Sequence, residues 1–202
     1  MGWDAADVEG IAAWIYDRAD ADMADPPDPI DLARALDVDV AYDDGTSVGT
    51  DGALSRDAGR WIVRLARAAS LERARFALGH EIGEWACRQR NEETVEALCN
   101  AISAAVLLPR PAFRAALRYF GADLSALARV FRTTETCVGL RIGEVTDRPM
   151  LLVSPGEVRA RGEEWSWPNE AQIRRQIRSG DAHGLRICPL ADDSRRSWIV
   201  AA

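Results

Sequence analysis

The segment His80-Glu81-Ile82-Gly83-Glu84 is the most chemically informative part of the sequence, because it places one of only two histidines directly before a glutamate. On a helix, residues four apart lie on one face about 6 Å apart, so His80 and Glu84 would point the same way. Glu81 would be rotated by about 100° from His80 around the helix axis, and would therefore lie beside a ligand that His80 and Glu84 bind together. An imidazole and a carboxylate so arranged bind a divalent metal such as zinc, and the neighbouring glutamate can act as a general base.

A zinc site needs a third protein ligand, and the next predicted helix offers three glutamates. Glu96 is the best candidate, because it lies on the polar face of that helix in line with Asn100. Glu92 and Glu93 remain alternatives. Their place at the predicted helix start also suits a capping role that the helix macrodipole favours.

The spacing of apolar residues predicts the two helices that would carry these groups. Apolar residues recur at intervals of three and four from Leu71 to Trp85, which indicates one long helix beginning after Ser70. A second helix is predicted from about residue 92 to just before Pro109.

The remaining pattern predicts an α+β fold. A small twisted antiparallel or mixed sheet would pack on a helical core that carries the site, followed by a C-terminal extension containing strands. Residues 52–55 and 60–65 are predicted to form a hairpin, and the strand 60–65 to present a free edge to an extended peptide. Other helices are predicted over 4–20, 30–36, 111–119, 123–131 and 135–144, and other strands over 38–42, 150–154, 185–189 and 196–201.

Composition narrows the class of protein. The chain has 202 residues, 48% of them hydrophobic, which suits one domain or one domain with an appendage. It has no apolar run long enough for a membrane helix. The formal net charge of −7 argues against a general nucleic-acid binder. Four scattered cysteines without a CxxC pair indicate reduced thiols in a cytoplasmic protein rather than a disulfide scaffold.

Two central segments resemble the ImmA/IrrE family of zinc metallo-endopeptidases. ERARFALGHEIGEW, at 72–85, is similar to the family's E-R-x-R-F-x-x-x-H-E-x-x-H segment, and EALCNAISAAVLLP, at 96–109, is similar to its E-x-x-A-N-x-F-A-x-x-L-L-x-P segment. Weaker similarity extends the resemblance over about residues 4–150. We therefore expect a zincin-like metallopeptidase domain over 1–150 and a C-terminal extension over 151–202.

The resemblance implies a role for each site residue. His80 and Glu96 take metal-ligand positions, Glu81 takes that of the catalytic base, and Glu84 stands where the family has its second histidine. Zinc is the implied cofactor. The implied partner is a protein substrate, a helix-turn-helix transcriptional repressor cleaved in a stress or mobile-element response. Arg75, in the same segment, could assist an oxyanion or form a surface salt bridge.

Glu84 in place of histidine leaves two functions open. Two carboxylates and one imidazole cancel the zinc charge, so bound water would be less acidic than in a two-histidine site. The chain is then either an active zinc endopeptidase or a degenerate pseudo-protease that acts as an interaction module. The helix-turn-helix-like segment 111–145 raises DNA binding as a third reading, although Thr134, Glu135, Thr136 and Arg141 are a poor set for gripping phosphates. The sequence does not determine the oligomeric state.

Overall fold

The structure is a computed structural model that describes residues 5–44, 51–146, 150–154, 157–161, 185–189 and 197–201. The protein has the predicted α+β architecture. Its helices are α1 (Ala5–Arg18), α2 (Pro29–Ala35), α3 (Leu71–Arg90), α4 (Glu96–Leu107), α5 (Arg110–Phe120), α6 (Leu124–Phe131) and α7 (Glu135–Thr146). Its strands are β1 (Val38–Asp43), β2 (Gly52–Asp57), β3 (Arg60–Ala66), β4 (Met150–Ser154), β5 (Glu157–Arg161), β6 (Leu185–Pro189) and β7 (Ser197–Ala201).

The first sheet is mixed and has the strand order β1-β3-β2. Strands β2 and β3 form the predicted antiparallel hairpin, closed by the two residues between Asp57 and Arg60, whereas β1 pairs with β3 in parallel. The prediction that residues 60–65 present a free edge is wrong, because β1 and β2 cover both sides of β3. The open edge on the hairpin side belongs to β2.

Helix α3 begins where the sequence predicts, but α4 begins later. Ser70 caps α3 by accepting a hydrogen bond from the Arg73 N–H at 3.3 Å, and Asn91, in the left-handed region (φ 55°), caps the other end after Arg90. Residues 92–95 are not helical, and α4 starts at Glu96. The predicted start near residue 92 is therefore wrong, because the chain turns at Asn91 and stays irregular up to Val95.

The N-terminal helix is tied to α4 through the core. Val8, Ile11 and Ile15 of α1 belong to one buried apolar cluster with residues of α2, α3, α4 and the first sheet. The Tyr16 hydroxyl donates to the Val106 carbonyl at 2.8 Å, and burial raises the pKa of that tyrosine. This bond satisfies a hydroxyl that would otherwise be buried without a partner.

The chain forms two compact units, one of residues 1–121 with 129–133 and one of residues 122–128 with 134–202. The first unit holds α1 to α5 and the mixed sheet. The second holds α7 and an antiparallel sheet of order β5-β4-β7-β6, in which β5 was not predicted. None of the described helices is both long and apolar enough to span a bilayer.

Candidate functional site

The facing sides of α3 and α4 bring together His80, Asn100 and Glu96. His80 Nδ1 lies 3.0 Å from Asn100 Oδ1 and donates to it, because the amide oxygen can only accept. His80 Nε2 lies 3.7 Å from Glu96 Oε2. The His80 side chain is only 15% exposed, whereas that of Glu96 is 81% exposed.

Asn100 determines which nitrogen of His80 is available. With the ring proton on Nδ1, the unprotonated Nε2 directs its lone pair toward Glu96. Metal-binding histidines are commonly oriented in this way, by a hydrogen bond from the ring nitrogen that does not touch the metal. If His80 becomes protonated instead, the same arrangement forms an ion pair with Glu96.

Glu81 is buried beside this pair, with a residue exposure of 6%. The Leu54 N–H of β2 donates a hydrogen bond to its carboxylate. Burial raises the pKa of Glu81; the negative charges of Glu84 and Glu96 also raise it, while His80 and the Leu54 bond partly offset the shift. A buried carboxylate with a raised pKa suits proton transfer near neutral pH.

Gly52 allows β2 to run directly beside Glu81. A Cβ atom at Gly52 would lie 3.4 Å from both Cγ and Oε1 of Glu81 and 3.2 Å from the Cβ of Ala77. The strand therefore packs closely against α3 at the position of the candidate base, which keeps bulk solvent away from this carboxylate.

Glu84 is held by Arg88, one turn further along α3. Arg88 Nε donates to Glu84 Oε1 at 2.9 Å, and Arg88 Nη2 donates to the same oxygen. The guanidinium carbon of Arg88 also lies 5.8 Å from the centre of the Trp61 ring, and that of Arg56 lies 5.4 Å from it. Because Trp61 lies on β3, this strand helps to hold the Arg88 guanidinium next to Glu84.

Close approach of α3 and α4 explains the glycines one turn apart in the motif. A Cβ atom at Gly79 would lie 2.6 Å from Ser103 Oγ, and one at Gly83 would lie 3.1 Å from Ile102 Cγ2. Ser103 in turn donates to the Phe76 carbonyl at 2.8 Å. The helices can therefore approach closely enough for side chains of α4 to reach His80.

Arg75 lies apart from this group. It precedes His80 by five residues, which places it about 140° away around the axis of α3. Its Nη1 forms an ion pair with Asp28, the residue that caps α2. The structure therefore gives Arg75 a salt bridge, but a partly buried one, because the Arg75 side chain is 13% exposed and that of Asp28 34%.

The alternative third ligands are engaged elsewhere or directed to solvent. Glu92 forms an ion pair with Arg90 at 2.6 Å, and Glu93 is exposed. The donor types of His80, Glu84 and Glu96 fit zinc, and two of the three are adjacent. Within the described residues, no group of three His, Cys, Asp or Glu side chains is arranged to hold a metal ion, and Glu84 is engaged by Arg88.

The arginine on α7, in the helix-turn-helix-like segment, is not presented to solvent. Arg141 of α7 is 1% exposed, and its Nη1 donates to Glu144 at 3.2 Å. Glu135 is also buried and accepts a hydrogen bond from Ser125. These side chains are thus unavailable to a phosphate backbone. Residues 162–184 of the predicted C-terminal extension lie outside the described residues.

Two contacts of the site are not among the features predicted from the sequence. The pairing of Glu84 with Arg88 follows the favourable i, i+4 order of acid before base, so the spacing alone could have indicated it. The bond from Leu54 to Glu81 could not have been found in this way. It involves a backbone group brought in by the register of β2 on β3.

Comparison with protein families covers the region that contains α3 and α4. The family model Peptidase_M78, described as an IrrE N-terminal-like domain, matches residues 33–142. The radiation response metalloprotease IrrE of Deinococcus radiodurans is 26% identical over 148 residues, which cover 62% of this chain and 45% of that protein. This chain thus spans less than half the length of that relative.

A solved structure of a Mycobacterium tuberculosis transcriptional regulator has a TM-score of 0.63 with this chain. It is 13% identical, and the match covers 91% of this chain and 64% of the regulator. At that identity the likeness shows a shared fold.

Proposed function

The chain belongs to the IrrE N-terminal-like family of metallopeptidases, Peptidase_M78, and on this premise we propose that it is a zinc-dependent endopeptidase. One observation carries the proposal. His80, with its proton fixed on Nδ1 by Asn100, directs Nε2 toward Glu96, while the buried Glu81 lies beside them. This arrangement supplies two metal donors and a general base without rearrangement of the backbone.

His80 and Glu96 would hold the zinc, with Glu84 as third ligand after release from Arg88. The zinc, when bound, would polarise the scissile carbonyl and make water a better nucleophile. Glu81 accepts the proton of the attacking water and passes it to the leaving amine. Its raised pKa supports this role, because a base must also be able to return the proton near neutral pH.

The open edge of β2 is the surface on which an extended peptide would bind. In an antiparallel pair, residues alternate between bonding the partner strand and pointing their backbone groups outward. Leu54 uses its N–H for Glu81, so its backbone faces away from β3. An extended substrate pairing along this edge would pass next to the candidate base.

The substrate that we propose is a helix-turn-helix transcriptional repressor in the cytoplasm. Support comes from the family resemblance and from the stress-related name of the Deinococcus relative. Cleavage would release a stress or mobile-element response.

A second candidate function is a non-catalytic module that binds such a repressor without cutting it. The Glu84–Arg88 pair favours this reading, because it neutralises a metal donor within the protein.

Zinc content and cleavage separate the two functions. If the chain is a zinc endopeptidase, we expect about one zinc per chain after mild purification. His80→Ala should lose the metal, whereas Glu81→Gln should retain the metal but not cleave the substrate. Glu93→Gln is the matched control, since Glu93 is exposed and should affect neither property. Less than about 0.1 zinc per chain, with no binding of added zinc, would favour the non-catalytic module.

A further inference from the structure

Strand β2 carries an exposed arginine beyond the glycine that packs on Glu81. Arg56 and Gly52 lie on the same face of the strand, because side chains an even number of residues apart point the same way. Gly52 faces α3, so Arg56 also lies on the α3 side of the sheet, where it is in register with Trp61 of β3. A peptide on the open edge of β2 would therefore pass this arginine on the same side as the candidate base.

Arg56 turns both of its backbone groups away from β3. The hairpin has a two-residue loop closed by Asp57 and Arg60, and a closing pair of this kind exchanges backbone hydrogen bonds. Bonding to β3 then alternates along β2, so Arg56 and Leu54 face outward. The bond from the Leu54 N–H to Glu81 agrees with this alternation. Because Leu54 has already used its N–H, Arg56 is where a substrate strand can both donate to β2 and accept from it.

The guanidinium of Arg56 makes no ion pair with any residue that the structure describes. Its Nε donates to the Gly59 carbonyl at 3.1 Å, and its guanidinium carbon lies 5.4 Å from the centre of the Trp61 ring. These contacts orient the exposed side chain and leave its two Nη groups available. The arginine on the other side of the Trp61 ring, Arg88, is already neutralised by Glu84. Arg56 therefore offers a positive charge to a substrate.

The negative net charge of the chain does not cancel this local attraction. Interactions between exposed charges are largely screened beyond about 8 Å at physiological ionic strength. Directly opposite residues of paired strands have Cβ atoms about 4.5–5.5 Å apart, so a substrate side chain opposite Arg56 lies inside that range. An acidic side chain there forms an ion pair, whereas a basic side chain meets a like charge.

We propose that Arg56 selects substrates that carry an acidic residue about two to four positions before the cleaved bond. This inference rests on the peptidase function proposed above. Glu81 lies beside Leu54 and Gly52, so the scissile bond would lie opposite these two residues. Antiparallel pairing, the commoner arrangement, puts the substrate residue opposite Arg56 on the N-terminal side of that bond. The difference in position between Arg56 and these two residues of β2 gives the spacing.

Cleavage of a random peptide library by the full zinc-loaded chain tests the proposal, with the products sequenced by mass spectrometry. Glu and Asp should be enriched about two- to fivefold over Gln and Asn in this window before the cut, the effect of an exposed ion pair. The enrichment should disappear in about 1 M salt, where the screening length falls to about 3 Å. Cleavage without the enrichment would overturn the proposal and leave the peptidase function standing.

Substitutions of Arg56 separate selection from a structural role. Arg56→Met keeps the apolar stem beside Trp61 and should abolish the preference for acids, whereas Arg56→Glu should replace it with a preference for Lys and Arg. Arg60→Met is the matched control, because Arg60 is exposed, points to the opposite face of the hairpin and pairs with Asp39. Its selection should equal that of the unmodified chain. Lower activity of Arg56→Glu with unchanged selection would contradict the proposal.

Peptide binding distinguishes failure of this proposal from failure of the peptidase function. Fluorescence anisotropy with Glu81→Gln compares labelled peptides of alternating Thr and Val that carry one central Glu, Gln or Lys. The Glu peptide should bind about two- to fivefold more tightly than the Gln peptide, and the Lys peptide most weakly. This order without cleavage by the unmodified chain, if lost in Arg56→Met, would support selection by Arg56 and reject the peptidase. Equal binding of the three peptides, or binding of none, would overturn the selection.

Discussion

Arg88 directs both Nε and Nη2 to a single oxygen of Glu84. By the family resemblance, Glu84 stands where the family has its second histidine, and a divalent cation would have to compete with this guanidinium for it. Hydrogen bonds to charged groups contribute about 1.5–3 kcal/mol, so the competition should be measurable as a change in metal affinity.

Replacing Arg88 with methionine should tighten zinc binding about tenfold, because the Glu84 carboxylate is freed while the apolar stem is kept. Competition with a chromophoric chelator measures the affinity. Arg73→Met removes an exposed arginine of α3 that pairs with Asp51 and should leave zinc binding unchanged. The double variant Glu84→Gln/Arg88→Met should not show this increase in zinc affinity. If the double variant still binds zinc more tightly, Glu84 is not the ligand that the loss of Arg88 frees.

Replacing Glu84 with histidine should also tighten zinc binding and raise peptidase activity. The change removes one negative charge from the donor set, so water at the metal should become more acidic. It also removes the partner of Arg88. Chelator competition measures the zinc affinity, and peptide cleavage measures the activity. Unchanged zinc affinity would count against position 84 as a ligand.

Loss of the Asn100 side chain should weaken zinc binding by about 10- to 100-fold, the usual effect of removing a partner that orients a metal ligand. Asn100→Ala would leave both tautomers of His80 available. Asn100→Asp retains an oxygen acceptor for Nδ1 and should restore most of the affinity. If alanine and aspartate behave alike, the hydrogen bond at 3.0 Å does not orient the ring.

Glu81→Gln should abolish cleavage and stabilise the metal-free protein. General base catalysis contributes at least about 100-fold to the rate. The raised pKa of Glu81 means that ionisation of this carboxyl opposes folding. That penalty is absent below the unfolded pKa of about 4.5, grows as pH rises toward the folded pKa, and is constant above it.

Thermal melts in the presence of a chelator at two pH values test whether ionisation of Glu81 lowers the stability of the fold. The melting temperature of Glu81→Gln should exceed that of the unmodified protein at about pH 7, and the difference should shrink at about pH 4. The exposed Glu93→Gln is the control and should show no such difference. A destabilised Glu81→Gln at neutral pH would indicate that the Leu54 bond outweighs desolvation.

Gly79→Ala should destabilise the fold. Alanine gains up to about 1 kcal/mol in helix propensity. Its Cβ, however, would lie 2.6 Å from Ser103 Oγ, so Ser103 must give up its bond to Phe76 or α4 must shift. Overpacking of this kind costs about 1–3 kcal/mol, so the balance is unfavourable. Gly10→Ala, with open space around the new Cβ, should instead be neutral or stabilising in the same urea titration.

The sequence predicts those parts of the fold that depend on local pattern. The start of α3 after Ser70 and the β2–β3 hairpin follow from periodicity and turn residues. The pairing of β1 with β3 does not, because parallel partners are distant in sequence and their order is decided by the whole sheet. The start of α4 was misplaced because Glu92 and Glu93 resemble a first turn, while Asn91 adopts a left-handed conformation that ends the preceding helix.

The site shows the same division between local and distant effects. The spacing predicts that His80 and Glu84 share a face of α3, and the helix does have that geometry. Which carboxylate reaches the histidine depends instead on the close contact of α3 with α4 at Gly79. The hollow lined by Arg75 depends on four chain segments that are far apart in sequence, so no spacing rule could have indicated it.

The bond from Tyr16 to Val106 joins residues 90 positions apart. During synthesis, the apolar face of α1 emerges long before α4 can cover it, and it must wait for about half of the chain to leave the ribosome. A truncated product ending before residue 106 would keep that face exposed and would be prone to aggregation and proteolysis. The apolar face of α1 is therefore protected from aggregation and proteolysis only after α4, the helix that carries Asn100 and Glu96, has been synthesised.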